Sequence, residues 1–358
     1  MIAPEQPLVK FAELAYQTVK PPCTALIKQK IEDFQVDEVL GFEPSGSGEH
    51  LFLEVRKQNL ATTEVARMLA MQLNANLADV GYAGMKDARA ICTQWFSVPK
   101  KSARALAREG LGSADLQLLQ IQDNDRKLKI GSHRGNRFRI RLREFCGESA
   151  DLEARISRAV DRGVPNYFGP QRLGRDLSNV FQAQEYFQSF DEDRVRVRLP
   201  RKKKSMLLSA GRGYLFNIIL SRRVADSTWD QLLSGEVLNL DGTKRFFKAL
   251  TGEERELQRR LEKLDIHPTG LLAGQIDSKS SYVAGDFVAE LEAQILSNNP
   301  VLSAGLLAAG TGAGRRPLRL VPRNLDYAWE NDSASVDMTF DLPAGGYATT
   351  LLRELVQY

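Results

Sequence analysis

Asp87 stands in the run Ala83-Gly84-Met85-Lys86-Asp87-Ala88-Arg89-Ala90, with a lysine before it and an arginine close behind. Positive neighbours keep a carboxylate ionised, and a small residue lets a substrate come close. An aspartate nucleophile requires both. Gly-x-Lys-Asp is also an ordinary surface turn, so the segment alone leaves both readings open. Gln94-Trp95-Phe96 follows closely.

Other chemistries find less support. Cys23, Cys92 and Cys146 are odd in number, far apart and without a CxxC spacing, which argues against a disulfide scaffold or a cysteine zinc site. His50, His133 and His267 have no metal-ligand spacing, and no G-x-S-x-G elbow supports a serine hydrolase. Gly310-Thr311-Gly312-Ala313-Gly314-Arg315-Arg316 departs from the phosphate-cradling GxxxxGK[ST] pattern and reads as a flexible loop. No nucleotide cofactor is implied.

Two features are cationic. Between Arg126 and Arg143 stand eight Lys or Arg and no acid. Within that stretch Arg137, Arg139, Arg141 and Arg143 alternate with Phe138, Ile140 and Leu142, the period of a strand with one apolar face. Extended backward, the strand puts Asn136 on the face of Phe138. Pro200-Arg201-Lys202-Lys203-Lys204 is a compact basic run of a kind that is often a solvated loop. Neither feature lies on an apolar amphipathic helix, so a nucleic-acid backbone suits them better than a membrane. Phe34, Phe138, Tyr167, Phe168 and Tyr347 are candidate stacking surfaces for bases, each with an equally plain reading as core.

Patterning sketches the elements that must position these residues. Leu51, Leu53 and Val55 share one face of a strand, and Trp95 to Val98 forms another stopped by Pro99. Thr62 can cap a helix with Glu64 in its first turn and an apolar stripe of Val65, Met68, Leu69 and Leu73. Ser102 to Arg108 reads as helix, and Ser149 can cap another carrying Leu152, Ile156 and Val160, stopped by Gly163. Residues 163–175, dense in Gly, Pro and aromatics, mark a junction. Beyond it the texture is mostly helical, at Tyr214–Val224, Glu253–Leu264 and Tyr282–Leu296, and alternation returns at Ser335–Leu342. That order predicts a domain inserted into an α+β domain whose last strands come from the C-terminus.

The chain has 358 residues, 43% hydrophobic and 26% charged, with a net charge of +4. Two globular domains are expected and wholesale disorder is not. No basic stretch followed by an apolar run opens the sequence, and no apolar run is long enough to span a bilayer, so the expected compartment is the cytoplasm.

Six segments, in order, resemble the TruD family of tRNA pseudouridine synthases. They are Lys28 with Glu32-Asp33-Phe34 and Val36-Asp37-Glu38; Gly41-Phe42-Glu43-Pro44 with Gly48-Glu49-His50; Ala83–Asp87 with Gln94-Trp95; Gly135-Asn136-Arg137-Phe138; Asn166-Tyr167-Phe168-Gly169 with Gln171-Arg172; and Leu342–Thr349 with Leu352-Arg353-Glu354. Each is weak alone; their order over nearly the whole chain is specific.

The resemblance implies a pseudouridine synthase catalytic domain, a mixed or antiparallel sheet with flanking helices, carrying an inserted TRUD-specific α/β domain. The catalytic domain would comprise residues 1–161 and 321–358, and the insertion residues 162–320. Asp87 falls at the family's nucleophile, with Lys28 as the basic partner that keeps it ionised. Phe34, Asn136 and Phe138 fall on substrate-binding positions, as does Tyr347, where the family often has Phe. The implied reaction is isomerisation of uridine to pseudouridine, at uridine 13 of tRNA in bacterial members. It needs neither cofactor nor metal, no protein partner, and a monomer suffices. Arg137, Arg139, Arg141, Arg143, Lys202, Lys203 and Lys204 would then hold tRNA phosphates. Two rivals stand beside this reading. A non-catalytic RNA-binding relative need not keep an acid at 87, and an aspartate-dependent hydrolase or phosphatase usually wants a second acid or a metal, which residues 83–90 lack.

Overall fold

The computed structural model describes residues 7–102, 114–191, 194–195, 198–276, 283–330 and 334–358. The chain divides into two compact units. One is Pro22–Glu153, Pro322–Ala348 and Val356–Tyr358; the other is Met1–Pro21, Ala154–Val321 and Thr349–Leu355. In chain order the principal elements are β1 (Phe34–Val39), β2 (His50–Gln58), α1 (Thr62–Gln72), β3 (Ile91–Pro99), β4 (Leu116–Asn124), β5 (Gly135–Cys146), α2 (Arg201–Ala225), β6 (Val237–Leu240), β7 (Phe246–Lys248), β8 (Ile266–Leu272), α3 (Asp286–Ser297), β9 (Gly314–Pro317), β10 (Arg323–Trp329) and β11 (Val336–Pro343).

The first unit is built on one mixed sheet, ordered β10-β11-β5-β1-β3-β2-β4. Only β1 and β3, among these neighbours, run parallel. Alternation in the sequence translates directly into two faces. The register puts Phe34 opposite Ile140, Val36 opposite Phe138 and Glu38 opposite Asn136. Val36 also aligns with Cys92, which pairs with Lys57 across β2. Helix α1 packs on this same face, where Val65 and Leu69 meet Leu53, Val55, Phe96 and Val98 in a buried cluster. Each such side chain contributes roughly 1.5–3 kcal/mol by leaving water. This is the positioning core: it fixes β2, β3 and α1, the three elements that surround residues 83–90.

The second unit is not the mostly helical body its texture predicts. Besides α2 and α3 it holds a four-stranded antiparallel sheet, ordered β7-β6-β8-β9. These strands are short, three to seven residues, and short runs give no clear period. Gly314–Pro317 is therefore a strand rather than part of a loose loop. The basic run is no loop either: Arg201 to Lys204 form the first turn of the 25-residue helix α2, which begins well before Tyr214. The remaining helices fall close to expectation, at Glu254–Glu262, Asp286–Ser297 and Ser149–Arg162, although Val160 is exposed. The helix expected from Ser102 to Arg108 lies, past Ser102, outside the described residues.

Candidate active site

The Asp87 carboxylate is gripped on both oxygens. Oδ2 is ion-paired to Lys28 Nζ, and Oδ1 accepts the Arg89 backbone N–H at 3.1 Å. The Asp87 side chain is 46% exposed, so a reactant can still reach it. Lys28 reaches across from the loop before β1, with a left-handed backbone, φ 57°. A non-glycine residue in that region costs on the order of 1 kcal/mol and persists where the surroundings enforce it. Its ammonium lies 4.1 Å from the centre of the Phe34 ring, so one cation serves both the carboxylate and an aromatic face.

Phe34 meets Phe138 edge to face at 6.2 Å, and Phe138 stacks on Phe340 at 5.3 Å. Asn136, two residues before Phe138 and on the same face, is 9% exposed. Its Oδ1 is buried without a hydrogen-bond partner. Such a group costs about 1–3 kcal/mol, and a ligand donor would remove that cost. Tyr347 is half-buried on the loop after β11, whose Ala344 N–H donates to Arg134 O at 3.0 Å. Thus Lys28, Asp87, Phe34, Phe138 and Asn136 share one side of the sheet. Tyr167 and Phe168 belong to the other unit and are buried, at 0% and 2% exposed; Phe34 and Phe138 are also buried, at 6% and 7%.

The loop bearing Asp87 is secured from below by residues the sequence reading left without roles. Lys57, 1% exposed, donates to Asp87 O at 2.8 Å and to Leu60 O at 2.6 Å. Burial pushes its pKa down and pushes that of the adjacent Cys92 thiol up. Gln94 donates to Gly84 O at 2.5 Å. Thr62 does not cap α1. Ala61 precedes the first turn, with its N–H bound to Glu64, and the Thr62 hydroxyl instead donates to Gln94 and accepts the Lys86 N–H at 2.8 Å. Lys86 Nζ is paired at 2.6 Å with the fully buried Glu38 carboxylate, which also accepts the Trp95 N–H. A Cβ at residue 84 would stand 3.2 Å from His133 Cε1 and 3.4 Å from Lys86 Nζ. A side chain there would make these neighbours give way by a few tenths of an ångström. One signal for Lys57 was legible: it continues the inward series Leu51, Leu53, Val55, a charge at an apolar position.

The arginine row faces away from this site. Arg137 pairs with Asp341 at 2.9 Å, Arg139 with Asp37 at 2.7 Å, Arg141 with Asp337 and Glu330, and Arg143 with the buried Asp33 at 2.7 Å. A groove of about 400 Å³ lined by Asp33, Arg139, Arg141, Arg143 and Asp337 lies on that face. Its charges already satisfy one another. Lys202 and Lys203 are exposed on α2, in the other unit.

Among the described residues no cluster of three or more His, Cys, Asp or Glu side chains has metal-binding geometry, and no helix is long and apolar enough to cross a membrane.

The family model described as tRNA pseudouridine synthase D (TruD) matches residues 12–186 and 175–355. A tRNA pseudouridine synthase D from Methylococcus capsulatus is 43% identical over 336 residues, 94% of this chain and 92% of that one. One from Nitrosococcus oceani is 42% identical over 348 residues, 96% and 94% of the two chains. A crystal structure of the putative tRNA pseudouridine synthase D from Methanosarcina mazei superposes with a TM-score of 0.72 at 22% identity, covering 95% of each chain. It shows that the fold is shared, and the expected α+β class with it. With the family model spanning nearly the whole chain and the relatives above 40% identical, this chain belongs to the tRNA pseudouridine synthase D family.

Proposed function

We propose that this member of a tRNA pseudouridine synthase family converts uridine 13 of tRNA to pseudouridine, with Asp87 as nucleophile. The reaction breaks the N1–C1′ bond, turns the uracil, and joins C5 to C1′. The C5 proton leaves and N1 gains one, so the product is an isomer and the balance needs no co-substrate. Asp87 acts on the ribose or on the base, and Lys28 is its ion-pair partner on either route. Removing the uridine from its stack costs a few kcal/mol. The Phe34–Phe138 pair, with Tyr347, is assigned to receive the flipped base, and the orphan Asn136 Oδ1 to accept a hydrogen bond from it. Lys202, Lys203 and Lys204 are assigned to tRNA phosphates. A phosphate at Arg137, Arg139, Arg141 or Arg143 would first have to displace a carboxylate.

The observation that carries this reading is the half-exposed Asp87–Lys28 pair set over the Phe34 ring. The test is Asp87→Asn, assayed for pseudouridine in tRNA by sequencing after incubation. Conversion should fall by at least about 1,000-fold; a wild-type rate refutes the assignment. Mapping the modified position tests uridine 13 separately.

A further inference from the structure

The arginine row on β5 is paired with acids, and the buried Arg223 and Arg315 have Glu236 and Glu292. One arginine cluster in the second unit is held differently. Arg172 rests its guanidinium 4.1 Å from the centre of the buried Phe168 ring, and Arg316 does the same at 4.1 Å. Arg316 is oriented by Asn166, whose Oδ1 accepts from its Nη2 at 2.5 Å. Arg212 projects from the middle of α2 and donates to Leu272 O at 3.3 Å, while its Nε is buried with no partner. Among the described residues, no carboxylate pairs with Arg172 or Arg212.

The cluster is built rather than incidental. A Cβ at Gly213 would stand 2.9 Å from Arg172 Cδ and 3.2 Å from the Phe168 ring, so only glycine lets both lie flat on α2. A Cβ at Gly314 would stand 3.5 Å from Arg212 Nη2, which places the start of β9 beside Arg212. Burial, and then repulsion from Arg172, push the Arg212 pKa down. Like charges held together in partial burial, with a donor left idle, are a cost that a bound anion would cancel. Planar guanidinium forks suit phosphate oxygens.

We propose that Arg172 and Arg212, with Arg316 at their edge, form a phosphate-binding site that takes a backbone phosphate of the RNA substrate. The RNA source rests on the function proposed above; the phosphate chemistry does not.

The test uses the full chain with Arg172→Met and Arg212→Met. Each should raise the tRNA dissociation constant about tenfold and lower the slope of log affinity against log salt by about one. Single-turnover conversion at saturating tRNA should stay within twofold of wild type. Without RNA, Arg212→Met should unfold at the same temperature as wild type or higher, because it removes a desolvated, repelled charge; a structural arginine would lower it. Millimolar inorganic phosphate, against chloride at equal ionic strength, should raise the unfolding temperature of wild type and not of the double variant. Phosphate stabilisation with unchanged tRNA affinity supports the site and overturns its RNA source. Neither effect, or a lowered unfolding temperature alone, overturns the site. If wild type forms no pseudouridine, the functional reading falls while the phosphate arm still decides the cluster.

Discussion

Lys57→Met would remove the ammonium that holds the backbone of the proposed nucleophile from underneath. The side chain is nearly isosteric, so packing survives and two donated hydrogen bonds do not. Asp87 O and Leu60 O, bonded at 2.8 and 2.6 Å, each lose a charged donor in a site that is 1% exposed. An acceptor left bare costs about 1–3 kcal/mol, and two such losses are partly offset by no longer burying a cation. A net destabilisation of about 2 kcal/mol follows from those opposing terms. The kinetic effect should be larger than the stability effect. With its carbonyl released, Asp87 keeps Lys28 and the Arg89 N–H but loses its fixed depth, and a displacement of about 1 Å at a reacting group costs up to about 100-fold. We expect tritium release from C5-labelled uridine in tRNA, under single-turnover conditions, to slow by about 10- to 100-fold. The tRNA dissociation constant should not change. A folded Lys57→Met enzyme with wild-type single-turnover kinetics would refute the argument that this lysine positions Asp87.

Two further outcomes follow from buried charge. Glu38→Ala strands the Lys86 ammonium, whose side chain is 5% exposed, and should cost about 3–5 kcal/mol in urea unfolding. Replacing both residues, as Glu38→Leu with Lys86→Met, should recover much of that, and a loss under about 1 kcal/mol in Glu38→Ala would sink the claim. For Asp33, burial opposes ionisation, yet the Arg143 fork and the Lys30 N–H prevail and hold its pKa below the ordinary 3.8. The folded state then binds fewer protons than the unfolded chain, so this stabilisation is present above that value and lost as pH falls through the folded pKa. Arg143→Leu should flatten the acid limb of stability measured between about pH 5 and about pH 2, and an unchanged slope would contradict the pairing.

The sheet of the first unit was legible because its strands alternate. Phe138 and Arg139 could only part to opposite faces, and the pattern is repeated on β2 and β11. What stood across from each arginine was not legible: Asp341 lies 204 residues from Arg137, and Asp37 lies 102 from Arg139. Local reading therefore saw a bare cationic strand where the fold makes a row of pairs. Thr62 was misread for a related reason. Its type and place suit a cap, but its hydroxyl is drawn into Gln94 and Lys86, contacts that only tertiary structure creates. The small sheet of the second unit was missed because four-residue strands such as β6, buried at nearly every position, carry no alternation. Asp87, Phe34 and Phe138 were candidates on local pattern with a plain structural alternative, which the resemblance decided; Lys28 came from the resemblance alone, and no spacing rule could have joined it to Asp87.

The pairing along β5 also shapes the field an approaching polyanion feels. A cation with its own carboxylate at contact distance is a dipole, and its influence fades well within the ~10 Å screening length of dilute salt. That face of the sheet neither draws RNA in nor turns it away. Removing Asp33, Asp37 or Asp341 would leave an uncompensated guanidinium open to a phosphate, whereas Arg141 would keep Glu330 after the loss of Asp337. Asp33, Asp37, Asp337 and Asp341 thereby keep that face of the sheet from presenting a row of bare cations to a polyanion.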